Sequence, residues 1–136
     1  MKLQGIIPPI LTPFDEKGEV DLERLGKFAE FLRPHVQGFY VNGTYGSGVL
    51  MNVEERKSVF EALSPYSDGS FELIAHVGTT NLRDSIELAQ HAEAHRALAV
   101  AAVPPFYFRY SEETLFAFFK DLIESVSIPV YLYDNP

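Results

Sequence analysis

Gly38-Phe-Tyr-Val-Asn-Gly-Thr-Tyr-Gly-Ser-Gly48 is the stretch from which the rest of the chain can be read. Its first four residues have the aromatic and β-branched character of a buried strand, and glycines at 43, 46 and 48 then open that strand into a loop. Thr44, Tyr45 and Ser47 stand between the glycines. Such a loop can bring its backbone N–H groups against a carboxylate or a phosphate, because glycine lacks the Cβ that would hold an anion away. The same residues also suit a tight strand-to-helix turn that binds nothing. Nucleotide binding is a weak alternative: no Gly-Lys-Ser/Thr follows, and Gly43-x-x-Gly46-x-Gly48 is not the dinucleotide spacing.

Working outward, the same strand-then-helix unit recurs. Residues 5–11 read as a short buried strand whose Pro8 and Pro9 suit the start of a sheet. Asp21 can cap a helix bearing Leu22, Leu25, Phe28, Ala29 and Leu32, and Pro34 stops it. After the glycine loop, Asn52 and Glu55 form an Asx version of a capping box before Val53, Val59, Phe60 and Leu63. Residues 71–77 are a third strand, and Thr80 or Asn81 caps a helix with Leu82, Ile86, Leu88, Ala89 and Ala92. Residues 98–103 are a fourth strand. Ser111 caps a helix striped by Leu115, Phe116, Phe119, Leu122 and Ile123, and residues 129–133 are a fifth strand. Strand starts recurring every ~30 residues with a helix between each pair imply a parallel sheet. Runs that are apolar throughout agree with burial on both faces. An open doubly wound sheet and a closed eight-stranded barrel share this cadence, and the barrel needs about 250 residues. The chain halts on a fresh strand and its loop, which reads as a cut barrel rather than a finished domain. The first and fifth strands are then expected to be open edges.

Composition narrows the function. With 136 residues, 46% hydrophobic, the chain is one domain in size and able to bury a core. A net charge of -8 and the lack of a basic face argue against nucleic acid and anionic membrane as partners. The absence of cysteine excludes a disulfide framework and thiol chemistry and fits a reducing cytosol, so cytoplasmic residence is the expectation. The longest apolar run, residues 97–103, is far short of the roughly 20 that a membrane helix needs.

The residues that invite a chemical role follow strands: Thr44 and Tyr45 the second, Phe106 and Tyr107 the fourth, Tyr133 the fifth. Both architectures gather such residues on one rim. Tyrosines with a threonine hydroxyl between them suggest a proton relay, since a hydrogen-bonded phenol can pass a proton to a forming alkoxide. Tyr107 also fits a surface aromatic, and Tyr133 a strand tyrosine satisfying a buried acceptor.

Val41-Asn-Gly-Thr-Tyr-Gly-Ser-Gly48, Pro105-Phe-Tyr107, Val130-Tyr-Leu-Tyr-Asp-Asn-Pro136 and Leu11-Thr-Pro-Phe14 resemble the pyruvate-dependent class I aldolases of the dihydrodipicolinate synthase and N-acetylneuraminate lyase superfamily. The likeness spans the whole chain and is strongest to the 2-keto-3-deoxygluconate aldolases. It implies that residues 1–136 are the N-terminal portion, about β1 to β5, of a single α/β TIM (β/α)8 barrel. It also implies a 2-keto acid held as a Schiff base on a lysine of the sixth strand, which this sequence lacks. None of Lys2, Lys17, Lys27, Lys57 and Lys120 matches that lysine. By likeness, Thr44, Tyr45 and the backbone from Gly43 would hold the pyruvate carboxylate. Tyr133 would move the proton at the reacting bond, and Tyr107 would extend the relay through Thr44 into a neighbouring subunit. That role implies a homo-oligomer, dimer or tetramer, with no cofactor and no metal. Two departures stand out: Tyr45 replaces the usual second hydroxyl residue, and Ser47 stands where the dihydrodipicolinate and sialic acid enzymes usually carry Glu. The resemblance therefore implies a lyase that reversibly cleaves a 2-keto-3-deoxy sugar acid to pyruvate and an aldehyde. Dihydrodipicolinate synthase or N-acetylneuraminate lyase activity is one alternative, and a non-catalytic half-barrel is the other.

His91 and His95, four apart with Glu87 a turn earlier, have a spacing that can hold a metal ion. They read more simply as a solvated face in a last helical turn. His76, inside an apolar strand, reads as a satisfied core histidine.

Overall fold

The structure is a computed structural model and describes residues 4–134. Lys2, and the Asn135 and Pro136 that end the last motif, lie outside the described residues. Four parallel strands, β1 (Gly38–Val41), β2 (Glu72–His76), β3 (Ala99–Ala102) and β4 (Val130–Leu132), lie side by side in chain order. Helices α1 (Leu22–Leu32), α2 (Val53–Leu63), α3 (Leu82–Ala94) and α4 (Glu112–Glu124) precede or link them. Strand order that never doubles back is how a barrel winds, whereas a doubly wound sheet reverses at its switch point.

The strand side chains divide by the two-residue period. Phe39, Val41, Leu73, Ala75, Val100 and Ala102 share one core with Leu25, Val59, Phe60, Leu63, Leu88 and Leu122 of the helices. Burying each of the larger side chains contributes about 1.5–3 kcal/mol. On the other face Ile74, Ala99 and Ala101 cluster with Ile7 and Tyr40, and no helix covers them. Helices on one face only, with a small second cluster on the other, are what one side of a barrel wall presents.

The helix starts follow the sequence. Asp21 accepts from the Arg24 N–H, Asn52 and Glu55 complete both halves of the capping box, and Ser111 accepts from the Thr114 N–H. Of the two candidates before α3, Asn81 is the cap and accepts from the Arg83 N–H.

Two expectations are corrected. Residues 5–11 do not form a regular strand; Pro9 makes an isolated parallel bridge to Tyr40, with the Tyr40 N–H on the Pro8 carbonyl at 2.9 Å and the Ile10 N–H on the Tyr40 carbonyl at 3.1 Å. The next rung would need the N–H that Pro8 lacks. On α4 the buried residues are Phe118 and Leu122, while Phe116 is 73% exposed and Ile123 is 46% exposed. The apolar band of α4 is wider than the face that α3 and β4 cover, and its outer part lies beside the exposed Leu132. The fifth predicted strand, now β4, is the open edge that the sequence led us to expect.

Candidate active site

The glycine loop after β1 is pinned from three sides. Thr12 Oγ1 donates to the Gly46 carbonyl at 2.7 Å, the Asn42 side chain donates to the Arg56 carbonyl at 2.9 Å, and the Gly48 N–H returns to the Gly43 carbonyl at 3.1 Å. Gly43 and Gly48 are demanded by crowding: a Cβ would sit 2.5 Å from the Tyr40 ring at the first and 1.8 Å from the Asn42 carbonyl oxygen at the second. Asn42 and Ser47 take left-handed backbone conformations to make the turn. The N–H groups of Thr44, Tyr45 and Gly46 donate to no acceptor among the described residues. They are the free donors that an anion-binding loop requires.

A concavity of about 510 Å³ opens on the uncovered face of the sheet at the C-terminal ends of the strands. Thr44, Tyr45, Tyr40, Tyr131 and Tyr133 line it, above a floor of Ile74 and Ala101. The structure thus brings together Thr44, Tyr45 and Tyr133, whose segments lie at opposite edges of the sheet. Gly43 is buried beneath the loop. Tyr107 is not among the lining residues; it is 86% exposed, stands in a positive-φ conformation and packs its ring on Phe108 at 4.9 Å.

Three residues that the sequence reading left without a role shape this region. Tyr40 lies 6.5 Å from Tyr133 and 6.1 Å from His76, ring centre to ring centre, and its buried hydroxyl has no partner. Burial, helped by Tyr133, pushes the phenol above its ordinary range against the pull of Arg56. The signal was available in the period of two, since Tyr40 alternates with the core-facing Phe39 and Val41. Arg56 occupies a core-facing turn of α2, four residues after Asn52 and four before Phe60, and is only 3% exposed. It donates to the His76 carbonyl at 2.6 Å and the Gly78 carbonyl at 3.2 Å, and its burial brings its pKa to about 10. It therefore ties α2 to the end of β2. His76 is buried as expected but not satisfied: its Nδ1 has no partner, and burial together with Arg56 brings its pKa to about 4. At neutral pH it is an uncharged ring behind Tyr40.

Among the described residues, no lysine lines the concavity. Lys57 is paired with Glu87 and Glu54 and Lys27 with Glu23, and both amines are pushed above their ordinary range by those carboxylates. An amine that must attack a carbonyl needs the opposite shift. No trio of metal-type side chains lines the mouth among the described residues; the one such group lies on α2 and α3. Nor is any helix of the described residues long and apolar enough to cross a membrane.

Comparison with known proteins agrees with this geometry. The model of the Dihydrodipicolinate synthetase family matches residues 2–136. N-acetylneuraminate lyase from Rhizobium meliloti is 35% identical over 137 residues, covering 100% of this chain and 46% of that protein. Among solved structures, YagE from E. coli K12, a prophage protein of the dihydrodipicolinic acid synthase family determined in complex with pyruvate, superposes with a TM-score of 0.91 at 32% identity. That match covers 97% of this chain and 45% of the other. A catalytic lysine mutant of the sialic acid aldolase from Ruminococcus gnavus superposes with a TM-score of 0.90 at 33% identity, covering 97% and 44%. The chain spans just under half the length of these relatives.

Proposed function

The chain belongs to the dihydrodipicolinate synthetase family, and from that premise we propose that it supplies the carboxylate-binding and proton-transfer half of a pyruvate-dependent class I aldolase. The observation that carries this reading is that Thr44 and Tyr45, in the loop whose N–H groups find no acceptor among the described residues, line the same concavity as Tyr133 from the far edge of the sheet. In the forward direction a 2-keto-3-deoxy sugar acid forms an imine with a lysine supplied from outside these residues. Tyr133 takes the proton of the C4 hydroxyl as the C3–C4 bond breaks, the aldehyde leaves, and the bond pair is held as an enamine by the imine carbon. Protonation at C3 and hydrolysis then release pyruvate. The loop donors and Thr44 hold the carboxylate throughout, while Tyr45, 73% exposed at the rim, caps that end. Tyr107, exposed and outside the lining of the concavity, is free to serve the site of a second copy.

The substrate reading rests on Ser47, which leaves the loop without the carboxylate that the sialic acid and dihydrodipicolinate enzymes usually carry there. Resemblance to N-acetylneuraminate lyases at 35% identity favours sialic acid cleavage as the second reading.

The test is an intact-mass measurement after incubation with pyruvate and borohydride. We expect no adduct on the 136-residue chain, and one reduced pyruvate adduct on a chimera that joins it to the remaining half of a family relative. A mass gain on the short chain would overturn the assignment of the lysine, and none on the chimera would overturn the aldolase reading. Chimera activity confined to aspartate semialdehyde would remove the sugar-acid substrate.

A further inference from the structure

Glu61, His91 and His95 form a compact group that the aldolase chemistry does not use. The sequence paired the two histidines with Glu87, but Glu87 is held by Lys57 and the structure brings in Glu61 from α2 instead. One donor atom from each of the three lies within 4.8 Å of the others. Glu61 Oε1 is 2.8 Å from His91 Nε2 and 3.9 Å from His95 Nε2, and the two rings stack with centres 4.1 Å apart.

The hydrogen bonding around the rings matters more than the count. His95 Nδ1 lies 2.8 Å from the His91 carbonyl, which can only accept, so Nδ1 carries a proton and Nε2 is the nitrogen turned toward the Glu61 carboxylate. A carbonyl on the far ring nitrogen is the usual device that orients a metal-binding imidazole. We propose that Glu61, His91 and His95 bind a divalent transition-metal ion of the zinc type, with water completing its coordination.

Tetrahedral zinc, with bonds of about 2.0–2.1 Å, spaces its donors roughly 3.3 Å apart, between the two distances seen here. Rotation of the Glu61 side chain, 53% exposed, brings its carboxylate to that spacing from each ring. All three residues lie toward the C-terminal ends of α2 and α3. Because these helices run back against the strands, the site is on the rim opposite the concavity, where an ion would staple two neighbouring helices rather than take part in chemistry. Binding displaces the proton shared by His91 and Glu61.

The experiment is titration of chelator-stripped 136-residue chain with Zn²⁺ against a chromophoric competitor, together with Co²⁺ absorption as a report of geometry. One ion per chain at micromolar affinity or better, a tetrahedral-type Co²⁺ spectrum and a thermal midpoint raised by Zn²⁺ are expected. His95→Gln at a half-buried side chain and Glu61→Gln at an exposed one, both outside the core, should each weaken binding by about tenfold or more. Millimolar affinity, or variants that bind as well as the parent, would overturn the site. Binding without the tetrahedral spectrum would overturn the ligand set.

Discussion

Replacing His76 by Leu should change how the fold responds to acid. The ring is 5% exposed and stands beside the Arg56 guanidinium and the Tyr40 ring, and burial first, then Arg56, lowers its pKa from 6.5 to about 4 against a hydrogen bond with the Asn42 backbone. Unfolded chains bind a proton at this position below pH 6.5, whereas the folded chain does so only near pH 4. The stability that comes from keeping the ring neutral is therefore complete above about pH 6.5 and is lost as the pH falls toward 4. Linkage gives about 2 kcal/mol lost between pH 7 and pH 5, and about 3 kcal/mol over the whole interval. Carboxylates held low by their partners, such as Glu61, Asp68 and Glu93, titrate in parent and variant alike and cancel in the comparison. Urea unfolding followed by tyrosine fluorescence at pH 7 and pH 5, at one ionic strength, measures the difference. The parent should lose about 2 kcal/mol more than His76→Leu; pH dependences that run parallel would refute the neutral buried ring.

Tyr40→Phe removes a buried hydroxyl with no partner, so it should stabilise the chain by about 1 kcal/mol, seen as a rise of about 3 °C in thermal midpoint. A fall of that size would mean that the hydroxyl is bonded after all. Arg56→Met strips two carbonyls of their donor and, after the desolvation of the guanidinium is subtracted, should lower stability by about 2 kcal/mol in urea; an unchanged midpoint would contradict the tie between α2 and β2. Gly48→Ala places a methyl group on the Asn42 carbonyl and should cost about 1–3 kcal/mol while deforming the loop, which chemical shifts of residues 42–48 would report. In the chimera, Tyr133→Phe should leave the borohydride-trapped adduct intact and slow cleavage at least about 100-fold; equal turnover would remove its role in proton transfer.

The elements were legible in the sequence because each is announced locally. Asp21, Asn52 and Ser111 sit where their helices start, and the apolar runs at 71–77 and 98–103 are too short for anything but strands. The segment at 5–11 was misread because its apolar content was weighed above its two prolines, which pair with Tyr40 at a single rung. Phe118 escaped because Leu115, Phe116, Phe118, Phe119, Leu122 and Ile123 make an apolar band wider than the buried face, and only packing decides which part of it turns inward. At the site, Thr44, Tyr45 and Tyr133 were legible as polar residues at strand ends. Tyr40, Arg56 and the unpartnered nitrogen of His76 were not, since their importance lies in what surrounds them across the sheet. The partnership of Glu61 with His91 was likewise hidden, because it joins two helices that the sequence separates by a strand.

The leading segment runs under the glycine loop, joined to it through Thr12 and to β1 through Pro8 and Ile10. Ile10 is also part of the helix-backed core, so cutting the chain ahead of residue 10 would loosen the glycine loop and the edge of the sheet together. Residues 6–12 thus act as a tensioner on the loop, and because Ile7 and Pro9 also line the concavity, substitutions there would alter the loop's position and the cavity wall at once.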